Sequence, residues 1–237
     1  MAVKEPGARM NGDYVGRRTS FDTKQQLSEK VAAYVREGIM VGEFRAGEYI
    51  RTERLAQELG VSPTPVREAL MLLGSEGTVR WEPRRGYRVV PLTPRDVSDL
   101  FDVQAFIAGE LAARAAEALP DTELDRLEKL QADLEAADRA QLPEEVDRLN
   151  FEIHRTINKA SDSHRMATLL NLTVSYVPLR FFGTIEGWSS ASAHDHAPIF
   201  TALRERDTAA ARTAMREHIR HIGDLLVAHL KARELLS

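Results

Sequence analysis

The residues best suited to chemistry are seven histidines, all of them after residue 153: His154, His164, His194, His196, His218, His221 and His229. At about 100° per residue along a helix, Val146, Asn150, Ile153, His154 and Ile157 share one arc, so Asn150 and His154 turn inward with the apolar residues. By the same period His218 lies on the face of Ala211, Met215, Ile222 and Leu225, and His196 precedes Ile199, Phe200 and Leu203 at inward-facing spacing. Any one inward histidine is most simply a hydrogen-bonded core residue. Three of them, on three helices, shift the balance: neutral imidazoles that converge inside a helical bundle make a site for one divalent ion, Zn²⁺, Ni²⁺ or Mn²⁺. Asn150, one turn before His154, supplies an oxygen. His229 is displaced from His218 by about 16 Å of helix rise and Asp147 from His154 by about 10 Å, too far to share the ion. Open positions on such an ion would accept the oxygens of a small anionic metabolite.

A second set of residues suits a different partner. Ser62 and Thr64 open a helical pattern with Arg67 one turn further in, which is how a recognition helix presents small polar donors and an arginine to the major groove. Downstream, Arg80, Arg84, Arg85 and Arg88 crowd a short stretch that holds Glu82 alone among acids, a density suited to a phosphate backbone. Gly86 follows Arg84 and Arg85, and would let that backbone approach closely. Residues 1–91 carry 15 Lys/Arg against 12 Asp/Glu, whereas 92–237 carry 17 against 24. The total charge of −4 therefore hides a basic half and an acidic half.

The elements that must hold these residues follow from periodicity and punctuation. Residues 1–24, polar and dotted with glycine, read as a flexible arm. Leu27, Val31, Tyr34 and Val35 begin a first amphipathic helix, and Glu53–Leu59 forms a second that ends at Gly60, where a left-handed cap is needed. Ser62 caps a third, with Pro63 at the first helical position. Thr78–Trp81 and Tyr87–Val90 alternate as a hairpin. Three helices and a basic hairpin make a winged helix-turn-helix over residues 25–91. Pro91-Leu92-Thr93-Pro94 is a stiff linker, centred on 92–94, whose Thr93 and Asp96 can form a capping box. Residues 95–235 read as helices throughout, over 95–118, 121–139, 143–160, 163–182, 195–205 and 208–235, and short connections imply an antiparallel all-α bundle. The fold class is mainly α.

With no cysteine, the chain excludes disulfides, thiolate metal sites and a cysteine nucleophile. No stretch reaches the roughly 18 apolar residues of a membrane span, and the first residues lack the apolar core of a signal peptide, so a cytoplasmic protein with no membrane partner is expected.

The run Leu55-Ala56-Gln57-Glu58-Leu59-Gly60-Val61-Ser62-Pro63-Thr64-Pro65-Val66-Arg67-Glu68-Ala69-Leu70, with Glu76-Gly77 and Arg84-Arg85-Gly86-Tyr87-Arg88-Val89, closely resembles the DNA-binding domain of GntR-family transcription regulators. The resemblance implies that Ser62, Thr64, Arg67 and Gly86 touch operator DNA. Pro63 stands where many members place a base-reading arginine, and Glu53 where some place a phosphate-contacting one. Asn150, Ile153-His154-Arg155, the segment from His196 to Asp207 and the stretch from Ala210 to His218 resemble the FCD ligand-binding domain of the FadR branch. That likeness implies a metal held by Asn150, His154, His196 and His218, with Asn150 in a place many members give to an aspartate. It also implies an effector site in which Gln104 replaces a common arginine and Arg180 or the metal compensates for it. The expected protein is a metabolite-responsive repressor, a homodimer on a pseudo-palindromic double-stranded operator, with a small organic acid as effector. A purely architectural DNA binder leaves the inward histidines and Asn150 unexplained, and a metal-dependent hydrolase or lyase is the other competing reading. It needs Glu152 or Asp195 as a base, and Glu152 lies about 200° from His154 around the helix, pointing away.

Overall fold

The computed structural model describes residues 13–177 and 185–237, with side chains from residue 27 onward in those spans. The chain divides into two compact units, one built from residues up to Val35 together with Gly47–Val90, the other from Arg36–Ala46 and Pro91–Ser237.

In the first unit, α1 (Asp13–Val41) is longer than its apolar stripe suggested. The part of the expected arm that is described, from Asp13, is helical, and no proline interrupts it. The rest of the arm, residues 1–12, lies outside the described residues. Helix α2 (Thr52–Leu59) stops at Gly60, which adopts φ 66° and returns its N–H to the helix carbonyls. Helix α3 (Pro63–Ser75) buries Val66, Ala69, Leu70 and Leu73 and ends before Gly77. The wing is a three-stranded sheet rather than a simple hairpin. β2 (Val79–Glu82) and β3 (Gly86–Val89) pair antiparallel, and β1 (Tyr49–Ile50) adds to the other side of β3. Two residues are too few for alternation to reveal β1 in the sequence; it exists only through its pairing with β3.

The second unit is all helix among the described residues: α4 (Pro94–Ala118), α5 (Asp121–Arg139), α6 (Pro143–Ala160), α7 (His164–Val174), α8 (Trp188–His194), α9 (Ala197–Arg204) and α10 (Thr208–Ala232). Helices α4 and α10 pack along their length, with the alanines Ala105, Ala108, Ala112 and Ala115 of α4 buried and allowing a close approach. Glu110 of α4 clamps this pair from the rim, accepting from Arg212 at 2.7 Å and Arg216 at 2.9 Å. One core joins Leu111, Leu127, Leu134, Ile153, Ile157, Ile199, Leu203 and Met215. A second joins Val97, Phe101, Trp188, Ile222 and Leu226, together with Met40 from the last turn of α1. The helix expected over 163–182 ends at Val174, and residues 178–182 of that span lie outside the described residues. Helix α8 was not anticipated as a separate element; its Gly187 start, at φ 84°, separates it from what precedes.

The capping box at the head of α4 is present. Thr93 Oγ1 accepts from Asp96 N at 3.1 Å, and Asp96 Oδ2 accepts from Thr93 N at 2.8 Å. Hydrogen bonds from the Thr93 hydroxyl and backbone N–H hold the Asp96 carboxyl below its ordinary range. Thr93→Ala removes one half of the box and is expected to cost about 1 kcal/mol of stability. A urea denaturation series on both proteins measures this, and an unshifted midpoint would contradict it.

Candidate metal centre and nucleic-acid interface

Three helical segments bring histidines to one point. His154 comes from the fourth turn of α6, His196 from the turn that joins α8 to α9, and His218 from the middle of α10. Their ring centroids lie 5.2 Å (His154–His196), 5.2 Å (His154–His218) and 4.7 Å (His196–His218) apart. Each offers a ring nitrogen within 4.8 Å of the others'. His196 and His218 are fully buried and His154 partly so. Burial and the neighbouring His218 push His154 down to about 3, and burial with both neighbours holds His196 well below its ordinary value. Near neutral pH these two rings are therefore uncharged, and each keeps one nitrogen lone pair.

Lone pairs without partners are what a cation would meet here. His196 Nε2 and Asn150 Oδ1 are buried and accept no hydrogen bond. Orphaned buried acceptors of this kind are rare, and each costs about 1–3 kcal/mol unless an ion or donor completes it. His154 Nε2 and His218 Nε2 stand 3.2 Å apart. Two imidazoles bound to one tetrahedral zinc at about 2.0–2.1 Å have nitrogens about 3.3–3.4 Å apart, so the spacing suits a shared ion. All donors are nitrogen or amide oxygen, a set that favours Zn²⁺, Ni²⁺ or Mn²⁺ over Ca²⁺ or Mg²⁺. The residues present fit a divalent metal.

Other candidates fall elsewhere. Glu152 is paired outward with Arg126 at 2.7 Å and Arg148 at 3.3 Å. Asp195 approaches the centre, but its Oδ2 is 2.6 Å from His221 Nδ1 and 3.5 Å from His218 Nδ1. Its partial burial favours the neutral acid, and the two imidazoles outweigh this and keep it ionised. Gln104 is buried on α4 and donates an amide N–H to Thr173 O of α7 at 3.1 Å, tying two helices together. Arg180 lies outside the described residues. Two residues around the centre were missed in the sequence: Gln131 of α5, which meets His196 Nδ1 at 2.8 Å, and His221. Gln131 had a signal, a polar residue in the apolar stripe of Leu124, Leu127 and Leu134.

In the first unit, Ser62 occupies the N-cap position of α3 in extended geometry, yet its hydroxyl makes no cap hydrogen bond. Ser62, Thr64 and Arg67 are all exposed. Arg84 and Arg85 occupy the exposed β2–β3 turn, and Arg84 adopts φ 65°. Arg85 is held over the Tyr49 ring, 5.8 Å from its centroid, and its Nη1 donates to the Tyr49 hydroxyl at 3.2 Å. Gly86 has a reason within the fold itself: at φ 102°, a Cβ there would sit 2.7 Å from Ile50 O of β1. The third strand thus demands a glycine whatever the wing touches.

A helix-turn-helix with a three-stranded wing, carried on one chain with a helical bundle that collects histidines, defines a DNA-binding regulator. Residues 27–89 match the model of bacterial regulatory proteins of the gntR family, and residues 99–221 match the FCD domain. An HTH-type transcriptional regulator in an unstable DNA locus of Streptomyces ambofaciens is 32% identical over 194 residues, covering 80% of each chain. The HTH-type transcriptional repressor GlaR of Escherichia coli is 29% identical over 196 residues, covering 78% of this chain and 89% of that one. Among solved structures, E. coli McbR/YncC shares the fold with a TM-score of 0.62 at 22% identity, over 84% of this chain and 96% of that one. The chain belongs to the GntR family of transcriptional regulators and carries an FCD domain. It is a DNA-binding regulator of transcription and not an enzyme. No described helix is long and apolar enough to cross a membrane.

Proposed function

We propose that the chain is a metabolite-responsive repressor that acts in the cytoplasm as a homodimer on a pseudo-palindromic operator. In this reading residues 25–91 hold the DNA, 92–94 connect, and 95–235 dimerise and bind the effector. Ser62, Thr64 and Arg67 read bases from the first turns of α3, while Arg84, Arg85 and Gly86 follow the backbone at the wing. A single module of this size gives too little specificity alone, which favours two copies on two half-sites. Repression is supported by the naming of the relatives GlaR and RspR as repressors.

The observation that carries the effector half is the buried cluster of His154, His196 and His218 beside the orphaned Asn150 Oδ1. These four residues would hold a Zn²⁺, Ni²⁺ or Mn²⁺ ion. Bound there, the ion would supply positive charge and open positions for the oxygens of a small organic acid. Gln104 and Arg180 are the proposed protein contacts to that acid. An effector that touches α4, α6 and α10 at once shifts their packing, and the Pro91–Pro94 linker passes the change to the recognition helices.

One preparation tests the whole reading. Protein purified without chelator or metal-affinity resin is assayed for bound metal, for mass by light scattering and for retardation of its own upstream DNA. About one metal per protomer and a dimer that retards a two-half-site fragment are expected. Less than a tenth of an equivalent of metal, with a melting temperature indifferent to added Zn²⁺, Ni²⁺ and Mn²⁺, overturns the metal centre. A monomer that binds one half-site tightly overturns the dimeric repressor.

A further inference from the structure

Gln131 lies outside the histidine set, on α5, and is buried. Its amide orientation is determined twice over. Nε2 faces Ala193 O at 2.7 Å and Glu135 Oε1 at 3.2 Å, both of them acceptors at neutral pH, so both contacts require the nitrogen and its two protons on that side. The amide oxygen is thereby turned to His196 Nδ1 at 2.8 Å. An oxygen cannot donate, so this contact is a hydrogen bond only if His196 carries its proton on Nδ1. The neutral ring then has its lone pair on Nε2, the atom that is buried without a partner beside the other two histidines.

We infer that Gln131 is the positioning residue of the centre: it selects the Nδ1–H tautomer of His196 and so presents Nε2 to the metal. The inference rests on the metal reading above, and adds to it a fourth helix. Outer hydrogen bonds to a ligating imidazole fix its tautomer and orientation and commonly govern affinity by about 10- to 100-fold. Gln131 also bonds Ala193 O, three residues before His196, so the same side chain anchors the backbone that carries the ligand. Without it, His196 is free to take the other tautomer, whose Nε2–H would face the cluster and repel a cation.

Two measurements test the proposal. In the metal-free wild-type chain, long-range ¹H–¹⁵N correlation spectra of ¹⁵N-histidine-labelled protein report the tautomer of each ring. His196 is expected as Nδ1–H, and an Nε2–H signal overturns the inference whether or not the protein binds metal. Zn²⁺ affinity is then measured by competition with a chromophoric chelator for Gln131→Met and Gln131→Glu. The methionine variant keeps the volume and loses the acceptor, so a loss of about 10- to 100-fold is expected. The glutamate variant keeps an acceptor toward His196 but sets its other oxygen against Ala193 O and Glu135 Oε1, so it is made together with Glu135→Gln, whose amide restores a donor, and this pair is expected to bind Zn²⁺ more tightly than Gln131→Met. Equal affinity in wild type and Gln131→Met overturns the proposal; no Zn²⁺ binding by wild type overturns the metal reading and leaves the tautomer spectrum to decide this one. If Gln131→Met does not fold, the wild-type spectrum still decides it.

Discussion

Replacement of His218 by alanine is expected to abolish metal binding, from about one ion per protomer to less than a tenth, and with it the metal-dependent rise in melting temperature. His218 is the hub of the centre: its ring lies within 5.2 Å of both other histidines, its Nε2 is 3.2 Å from His154 Nε2, and its far side faces Asp195. Removing it leaves two histidines and an amide, too few to hold a divalent ion against water and buffer. At a free ion concentration of about 100 Kd, bound metal stabilises the native state by about 2.7 kcal/mol, and this whole increment should vanish in the variant. Because His218 is also buried, the cavity left behind destabilises the metal-free protein too. The informative quantity is therefore the difference between metal-free and metal-loaded melting temperatures of the same variant. A variant that still gains the wild-type increment places the ion elsewhere, and His218→Ala is then a packing mutation only.

Arg67→Ala is expected to have the second largest effect, on the operator. Arg67 is exposed one turn into α3, and Ser62 and Thr64 ahead of it leave their side chains free of the helix cap. One arginine contact to a base edge is worth about 1–3 kcal/mol, roughly 5- to 150-fold in affinity. A two-fold symmetric complex carries the loss twice, once per half-site. Retardation at a fixed salt concentration measures it, since phosphate contacts make any affinity depend strongly on salt. Thermal stability should stay within about 0.5 kcal/mol, as exposed substitutions away from caps and cores usually do. Retardation within two-fold of wild type would remove Arg67 from the interface.

The local sequence was enough for the parts of this protein that depend on neighbours in the chain. Gly60 marks the tight turn because a left-handed residue is needed there, and Pro63 marks the start of α3 because its missing N–H costs nothing. The Thr93–Asp96 box announces α4. Helical period alone placed His154, His196 and His218 on inward faces, since the period of 3.6 is a property of each helix by itself. It could not say that three inward faces meet. That depends on how α6, α9 and α10 pack, and packing is a sum over many contacts from distant parts of the chain.

The same limit explains what was missed. β1 is two residues long and is a strand only because β3 offers it hydrogen bonds. Gly86 looked like an opening for DNA until the carbonyl of Ile50 was placed 2.7 Å from its absent Cβ. Gln131 lies 65 residues from His196 in the chain, so no local pattern connects the two. Asp195 looked like a possible base, and its contacts with His218 and His221 make it a partner of the ring instead. Sequence determined which side chains face inward and the box that caps α4, because those follow from bonds within a few residues. Tertiary structure alone decided which nitrogen of His196 is left bare, because a hydrogen bond to a ring depends on where another helix puts its acceptor.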